Sequence, residues 1–310
     1  MIRYIASKFL YMLLSLFILA SATFFLMKAI PGNPFMSEKN VQPQIKERLM
    51  EQYGLNKPIA EQYLQYLGNL VKGDLGISMK YQNQEVTQRI ADTFSPSLQI
   101  GIFAIIISIV AGIVLGLIAA LYHRKLIDNV AMIIAVLGIA VPSFVLATLI
   151  QYIFALKLGW FDVMGFNEPS DFVLPVIALA VQPIAFIARL TRSSMLEVLN
   201  ADYIKTAKAK GLNGFTIMTR HVVRNGILPV VTYVGPMTAN IVTGSVVIEQ
   251  IFGIGGIGRV FVDSITNRDY TMIMGVTIFY GVLLMLARFV TDILYVLVDP
   301  RIKLSGRKGS

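Results

Sequence analysis

The chain of 310 residues contains no cysteine, which excludes disulfide scaffolds, thiol catalysis and cysteine-based metal sites and says nothing of compartment. Charge is scarce as well. Only 15% of residues are charged and 55% are hydrophobic, with a mean hydropathy of +0.68, whereas soluble domains sit near about 25% charged and about 45–50% apolar. There are two histidines, His123 and His221. Both fall in polar segments between apolar runs, and no H-E-x-x-H occurs, so an intramembrane zinc site has no support. The phosphate-loop string G-x-x-x-x-G-K-[ST] and the esterase string G-x-S-x-G are missing too. One dense glycine cluster, 253–258, formally satisfies G-x-G-x-x-G. It lies in a short stretch between two apolar runs with no room for a βαβ unit, and a tight turn or re-entrant packing is the simpler reading. The chain shows no energy-coupling or hydrolytic site of its own.

What it has is long apolar runs. Six are nearly free of charge: 9–27, 93–122, 129–156, 172–188, 225–248 and 270–287, the last continuing past Arg288 to 298. A helix needs about 20 residues to cross the hydrocarbon core, and backbone groups in lipid must pair internally, so these runs predict an all-α integral membrane fold with six transmembrane helices. The fourth run is short and carries Pro175 and Pro183. Arg3 and Lys8 followed by an apolar core and Ala20-Ser21-Ala22 imitate a cleavable signal. The run continues past that point to Met27, which favours a retained first helix; cleavage would leave five spans.

Net charge is +9. In a soluble protein that would suggest nucleic acid; here the basic residues flank the apolar runs. With the N-terminus inside, the inner segments hold Arg3, Lys8, Arg124, Lys125, Arg189, Arg192, Lys205, Lys208, Lys210, Arg220, Arg224, Arg301, Lys303, Arg307 and Lys308. The two short outer loops hold only Lys157, Arg259 and Arg268. That bias places both termini in the cytoplasm.

The domain reading follows. Residues 1–30 are an N-terminal stub and the first helix, 31–92 an extracytoplasmic cap, 93–298 the remaining five helices with an inner loop at 189–225, and 299–310 a tail. The cap opens on Pro31-Gly32-Asn33-Pro34, a turn-rich exit. It predicts two short amphipathic helices, one over 44–53 with Ile45 and Leu49 on one face. The other starts at Pro58 with Ile59, Tyr63, Tyr66, Leu67 and Leu70 at helical spacing. It serves as a packed cover for the helix ends, as a landing surface for a delivery protein, or as both.

The inner loop carries KTAKAKGL at 205–212 and RNGILP at 224–229. Asp202 can cap a short helix, Ala207 and Ala209 keep one surface thin, Gly211 can end the helix in a left-handed conformation, and Lys205, Lys208 and Lys210 form a charged rim. Such a helix suits a cleft on another protein; an ordinary inside-positive loop at lipid headgroups reads equally well from the pattern alone.

Polar residues inside the runs are few: Gln151, Gln182, Asn240, Arg288 and Asp292, with Glu249 at an outer boundary. Arg288 and Asp292 are four apart and can neutralise each other on one helix face. Gln182, Asn240 and Glu249 are candidates for a polar translocation path, although Gln182 and Asn240 serve as readily for hydrogen bonds between helices. Gly112 and Gly116 form a G-x-x-x-G pair, most simply a close helix contact.

The strings PGNP (31–34), EQYGLNKPIAEQYLQYLGNLVKGDLGIS (51–78), VPSFVLATL (141–149), LGWFDVMGF (158–166), ADYIKTAKAKGL (201–212), RNGILPVV (224–231) and IEQIFGIGGIGRVFVDSITNRDYTMIMG (248–275), in that order, resemble the B-type permease subunits of the dipeptide/oligopeptide ABC importers almost end to end. The general docking motif of ABC importers reads Glu-Ala-Ala, three residues, Gly, then Ile-x-Leu-Pro. Aligned on Gly211, this chain has Lys205, Thr206 and Ala207 in the first three places, and a longer gap to Gly226-Ile227-Leu228-Pro229.

The resemblance implies a type I importer permease with no catalytic site and no cofactor or metal of its own, ATP and Mg2+ being held by partner ATPase subunits. It implies coupling through Asp202, Tyr203, Thr206, Ala207, Ala209, Lys210 and Gly211. The partners it implies are a second permease subunit, two cytoplasmic ABC ATPase subunits, an extracytoplasmic peptide-binding protein, membrane lipid and the peptide itself, in a bacterial plasma membrane. Nickel permeases look similar, so dipeptide or nickel-type cargo stands as the alternative to oligopeptides. A membrane enzyme acting on lipid or peptide is the third class; it needs a clustered acid, base or metal site at one membrane face, and the sequence offers none.

Overall fold

The computed structural model describes residues 2–30, 35, 43–244 and 246–298. The Pro31–Gly32–Asn33–Pro34 turn, Ser245 and the tail from 299, with its basic residues, lie outside the described residues. Within them the chain is helical, with no strand beyond an isolated antiparallel bridge between Ile77 and Glu85. In order, the helices are α1 (Ile2–Ala29), α2 (Pro43–Gln52), α3 (Ile59–Val71), α4 (Val86–Leu121), α5 (Leu126–Ala140), α6 (Ser143–Ile150), α7 (Val173–Leu199), α8 (Asp202–Ala209), α9 (Gly214–Thr216), α10 (Arg224–Gly226), α11 (Leu228–Gly244), α12 (Val246–Phe252), α13 (Ile257–Asn267) and α14 (Tyr270–Val298). Two π-helical turns, Gln151–Lys157 and Ile217–Val223, extend α6 and join α9 to α10.

Among the described residues four helices are long and apolar enough to cross a membrane: Ile5–Ala29, Val86–Leu121, Pro169–Leu199 and Tyr270–Ile293. The expected third span is a bent pair, Leu126–Ala140 and Ser143–Lys157, meeting at 105°. Pro142 lies at that break; its ring nitrogen has no hydrogen to donate and the residue before it is pushed to extended geometry, as Val141 is (φ −82°, ψ 123°). The expected 225–248 run is helical over α10, α11 and the start of α12. Pro96, Pro183 and Pro236 sit inside α4, α7 and α11, where neighbouring helices can satisfy the freed backbone groups. Long apolar side chains stand outward, such as Leu10, Leu14 and Ile18 on α1, Ile106 and Val110 on α4, and Ile133 and Leu137 on α5. In water that surface would aggregate; against lipid it is an ordinary exterior.

Two compact units emerge from the packing: residues 1–97 with 255–289, and residues 98–254 with 290–310. In the first, α3 lies on the end of α1. The Ser21 and Tyr63 hydroxyls share a hydrogen bond of 2.6 Å and the Phe24 ring stacks on Tyr66. The two amphipathic helices expected at 44–53 and from Pro58 are present as α2 and α3, with Pro58 one place earlier, at the N-cap of α3. Ala20-Ser21-Ala22 lies mid-helix in α1, with Ala20 buried. A second anchor is Asp269, fully buried ahead of α14: it accepts hydrogen bonds from the Ser78 hydroxyl and from the Met79 and Met272 amides. Gly256 of the glycine cluster is the N-cap of α13, and the Ile257 amide donates to Ser97 Oγ at 3.0 Å.

In the second unit α7 is the central element and packs against α5, α6, α11 and α12. The core there joins Ile100, Ala104, Ala147, Val176, Ala180, Ile187, Val230, Ile248 and Phe252. The G-x-x-x-G pair makes the close helix contact its spacing predicts. A Cβ on Gly112 would stand 2.6 Å from Ile187 Cβ, and one on Gly116 would stand 2.5 Å from the Ala188 carbonyl oxygen.

Candidate functional site

Helix α8 begins at Asp202, and the cap position belongs to Ala201 in extended geometry (φ −70°, ψ 146°). Asp202 therefore does not cap the helix with its side chain. Its carboxylate is almost fully solvent-exposed and meets Lys205 Nζ at 2.9 Å. What it contributes is negative charge at the positive helix end. The Thr206 hydroxyl donates back to the Asp202 carbonyl (3.1 Å). The helix closes at Lys210, and Gly211 follows in the left-handed region at φ +75°, the conformation a glycine reaches without strain.

The inward face of α8 is Ile204 and Ala207, three residues apart, packed with Met195, Ile217 and Val222. This corrects the expectation for Ala207. It is 5% exposed and belongs to the core, so its small size serves packing within the chain rather than a thin outer surface. The outward face carries Tyr203, Lys205, Thr206, Lys208 and Ala209, and runs on through Lys210 and Gly211 to Leu212 and Phe215. Phe215 is 79% exposed, a large apolar side chain standing free in the most basic segment of the protein. The sequence reading missed it; an aromatic inside an otherwise polar, basic loop was the available signal. Asn225 ties the loop together by donating to the Tyr203 hydroxyl (3.2 Å) and to the His221 carbonyl (2.9 Å).

Below α8, a buried carboxylate secures the helices that carry it. Asp128, in the first turn of α5, has a side chain only 1% exposed. Arg192 of α7 reaches it with two bonds, Nε to Oδ1 at 2.5 Å and Nη2 to Oδ2 at 2.8 Å. The Arg124 amide donates to the same carboxylate at 3.0 Å, and His123 Nδ1 lies 3.1 Å from it. Two-pronged guanidinium–carboxylate geometry fixes direction as well as distance. The left-handed Arg124 (φ 63°) turns the chain so that its amide can join.

Gln182 and Asn240 come together at one cleft, with Ser143, Phe186, Tyr233 and Met237 among the residues around them. Gln182 Nε2 donates to the Val141 carbonyl at 2.9 Å, at the Pro142 break. Its amide thus satisfies an acceptor released where the helix bends, while its side chain still borders the cleft. Phe186 and Tyr233 meet there with ring centroids 4.2 Å apart and planes tilted by 30°; neither was singled out from the sequence, since an aromatic in an apolar run carries no pattern of its own. Glu249 is fully buried in α12 and is not among the cleft residues. Gln151 is a fastener: its Nε2 donates to the Val163 and Ile251 carbonyls, both at 2.8 Å. Arg288 is exposed on α14, and Asp292 is half-buried one turn further on.

Comparison with known proteins adds the following. Residues 112–304 match the model of the binding-protein-dependent transport system inner membrane component, and residues 1–98 match the model of the N-terminal part of such membrane components. The dipeptide transport system permease protein DppB of Bacillus subtilis is 46% identical over 309 residues, covering 100% of both chains. The oligopeptide transport system permease protein OppB of Haemophilus influenzae is 42% identical, and OppB of Escherichia coli K12 is 40% identical. Each alignment spans 98% of this chain and 100% of the relative. Among solved structures, a crystal structure of an amino acid ABC transporter with histidines superposes with a TM-score of 0.55 at 18% identity, covering 67% of this chain and 93% of the other. The MetNI methionine ABC transporter in an inward-facing form gives 0.56 at 17% identity, covering 69% and 97%. These two show the fold alone: a helical bundle shared with those ABC-transporter chains.

Proposed function

Because the chain belongs to the family of binding-protein-dependent transport system inner membrane components, we propose that this multi-pass membrane protein is the permease subunit of an ATP-driven importer that carries oligopeptides into the cytoplasm. The observation that carries the reading is end-to-end similarity to peptide permeases at 40–46% identity. The exposed α8 and its left-handed Gly211, which give such a subunit something to be pushed by, support it.

In this reading ATP and Mg2+ are held by two separate ATPase subunits on the cytoplasmic side, and this chain supplies neither a nucleotide site nor a catalytic residue. Closure of the ATPases moves α8 through Tyr203, Thr206, Ala209, Lys210, Gly211 and Phe215. Ile204 and Ala207 pass that movement to α7 through the shared core, and the Asp128–Arg192 bond passes it to α5. A second permease subunit completes the path. The cleft of Gln182, Asn240, Phe186 and Tyr233 faces the cargo, with amides for peptide groups and rings for side chains. An extracytoplasmic binding protein delivers the peptide to the 31–92 cap, and both termini are cytoplasmic in a bacterial plasma membrane. Alternating access of this kind works only if the ATP-bound partner contacts one state of α8 better than the other.

A dipeptide cargo is the second reading, favoured by the full-length similarity to the dipeptide permease of Bacillus subtilis. Uptake of labelled tetrapeptide and dipeptide by cells lacking the gene and all redundant peptide importers, with and without its restoration, separates the two. Restored tetrapeptide uptake supports oligopeptide cargo; restored dipeptide uptake alone moves the cargo to the second reading; restoration of neither refutes both.

A further inference from the structure

The first unit holds a pocket of about 300 Å3, partly open to solvent, between the end of α1, the α2–α3 turn, the loop at 74–79 and the start of α14. Its wall is neither a packed core nor a polar surface. Lys28 brings an ammonium, half-buried, held by Gln62 Oε1 at 2.5 Å. No carboxylate lies within ion-pair distance of it among the described residues. Its Nζ also stands 5.7 Å from the centroid of the Phe24 ring, and the wall includes the carboxylate of Asp74, which accepts from the Gly76 amide. A half-buried cation without an ion-pair partner gains from an incoming anion.

Around it stand the side-chain amides of Gln52 and Gln65, both exposed residues, and of half-buried Asn69; none makes a hydrogen bond to another side chain or backbone group among the described residues. The hydroxyls of Tyr66 and Tyr270, also in the wall, are buried without a partner. Burial, with Tyr63 beside it, pushes the Tyr66 phenol above its ordinary range, so it is a neutral donor at physiological pH. The two buried hydroxyls are unmet hydrogen-bonding capacity that a ligand can satisfy, and the more accessible amides can exchange water for it. Met27, Leu55 and Met274 supply the apolar part of the wall.

We infer that this cavity is a binding site for the carboxyl-terminal end of a short peptide. Lys28 takes the terminal carboxylate, the amides of Gln65 and Asn69 take the last peptide group, and Met27, Leu55 and Met274 receive the last side chain. An anion alone would need only the lysine; the surrounding amides are what favour a peptide over a simple ion. The peptide class rests on the proposed function. The site is distinct from the cleft of Gln182 and Asn240, and gives the importer a place where cargo is held by its free end.

The test uses the assembled transporter in nanodiscs of phosphatidylethanolamine and phosphatidylglycerol, without ATP and without binding protein. Tritiated trialanine and tritiated trialaninamide are compared by equilibrium dialysis. The acid is expected to bind at least about tenfold more tightly than the amide, the value of one charge-assisted hydrogen bond. Lys28→Gln removes that preference while leaving amide binding unchanged, and Asn69→Leu weakens both ligands alike; each variant is first confirmed to elute as the assembled complex with wild-type melting temperature. Equal binding of acid and amide to the wild type, or a preference that survives Lys28→Gln, overturns the proposal. So does binding seen in detergent and lost in nanodiscs, which marks the cavity as a phospholipid site. ATP-driven peptide uptake by the same wild-type complex, reconstituted with its binding protein into sealed proteoliposomes of the same lipids, is measured in parallel. Uptake together with equal binding removes the cavity site alone, whereas no uptake of any peptide removes the proposed function itself.

Discussion

Arg192 and Asp128, 64 residues apart, hold each other through two hydrogen bonds, 2.5 and 2.8 Å long, at a carboxylate that solvent scarcely reaches. The pair joins the helix that carries α8 to the helix that bends at Pro142. Arg192→Ala strips the buried carboxylate of its charge partner and leaves it the Arg124 amide and His123, a loss toward the lower end of about 3–5 kcal/mol. Arg192→Lys keeps the charge and cannot make both bonds, so it falls between. Thermal melting of the detergent-solubilised protein is expected to rank wild type above Arg192→Lys above Arg192→Ala. The double variant Asp128→Asn/Arg192→Gln should melt above Arg192→Ala, since it buries no charge. An Arg192→Ala protein as stable as wild type would show that the pair contributes nothing.

At Gly211 the local backbone is left-handed and a Cβ would meet no atom within 4 Å among the described residues beyond its two chain neighbours. Any substituent there has room within the chain, so two causes of failure separate. Gly211→Val strains the backbone by about 1–2 kcal/mol; Gly211→Asn tolerates the conformation and tests only what approaches from outside. Gly211→Asp adds a negative charge to the exposed end of α8. The expected outcome is normal membrane abundance of Gly211→Asp with peptide uptake abolished, read by immunoblot and by labelled-peptide accumulation. Normal uptake would remove Gly211 from the coupling surface.

Phe215 is exposed and takes no part in the core. Phe215→Ala should leave the melting temperature of the isolated chain within about 1 °C, since surface changes away from packed features stay within about 0.5 kcal/mol. Co-purification of the ATPase subunits should fall at least about tenfold, as for a buried aromatic anchor at an interface. Full retention of the ATPases would place the anchor elsewhere.

Gln182 is asked to do two things, and they can be told apart. Gln182→Leu leaves the Val141 carbonyl without its donor and should cost about 1–3 kcal/mol. Phe186→Ala and Tyr233→Ala open the cleft without touching that bond. Their expected effect is on cargo preference, measured as the ratio of uptake for peptides with aromatic and with small side chains. An unchanged ratio in both would separate the ring pair from the cargo.

Much of this was legible in the residues because the membrane punishes exceptions. Four of the six predicted runs correspond to helices that qualify as spans on their own, and the third is a pair of helices bent sharply at Pro142. The break itself follows from Pro142, yet proline also sits inside α7 at Pro183 without such a bend, so the local rule did not decide between a tolerated proline and a hinge. The small-residue pattern at 207–211 located the loop but not its faces. Ala207 and Ala209 look alike in sequence, and only the placement of Ile204 against Met195 turns one inward and leaves the other out. Arg192 registered as one more inner positive charge, because a partner at Asp128 has no signature at that separation. The cavity wall was opaque for the same reason: it is assembled from α1, α2, α3, the following loop and α14, each contributing residues ordinary on their own.

The most direct test of the central claim is tetrapeptide uptake into proteoliposomes carrying this chain with its partner permease, the ATPase subunits and the binding protein. The account predicts saturable accumulation that requires ATP and the binding protein and disappears with Gly211→Asp while the complex stays assembled. ATP hydrolysis by the intact assembly without accumulation of any peptide would contradict it.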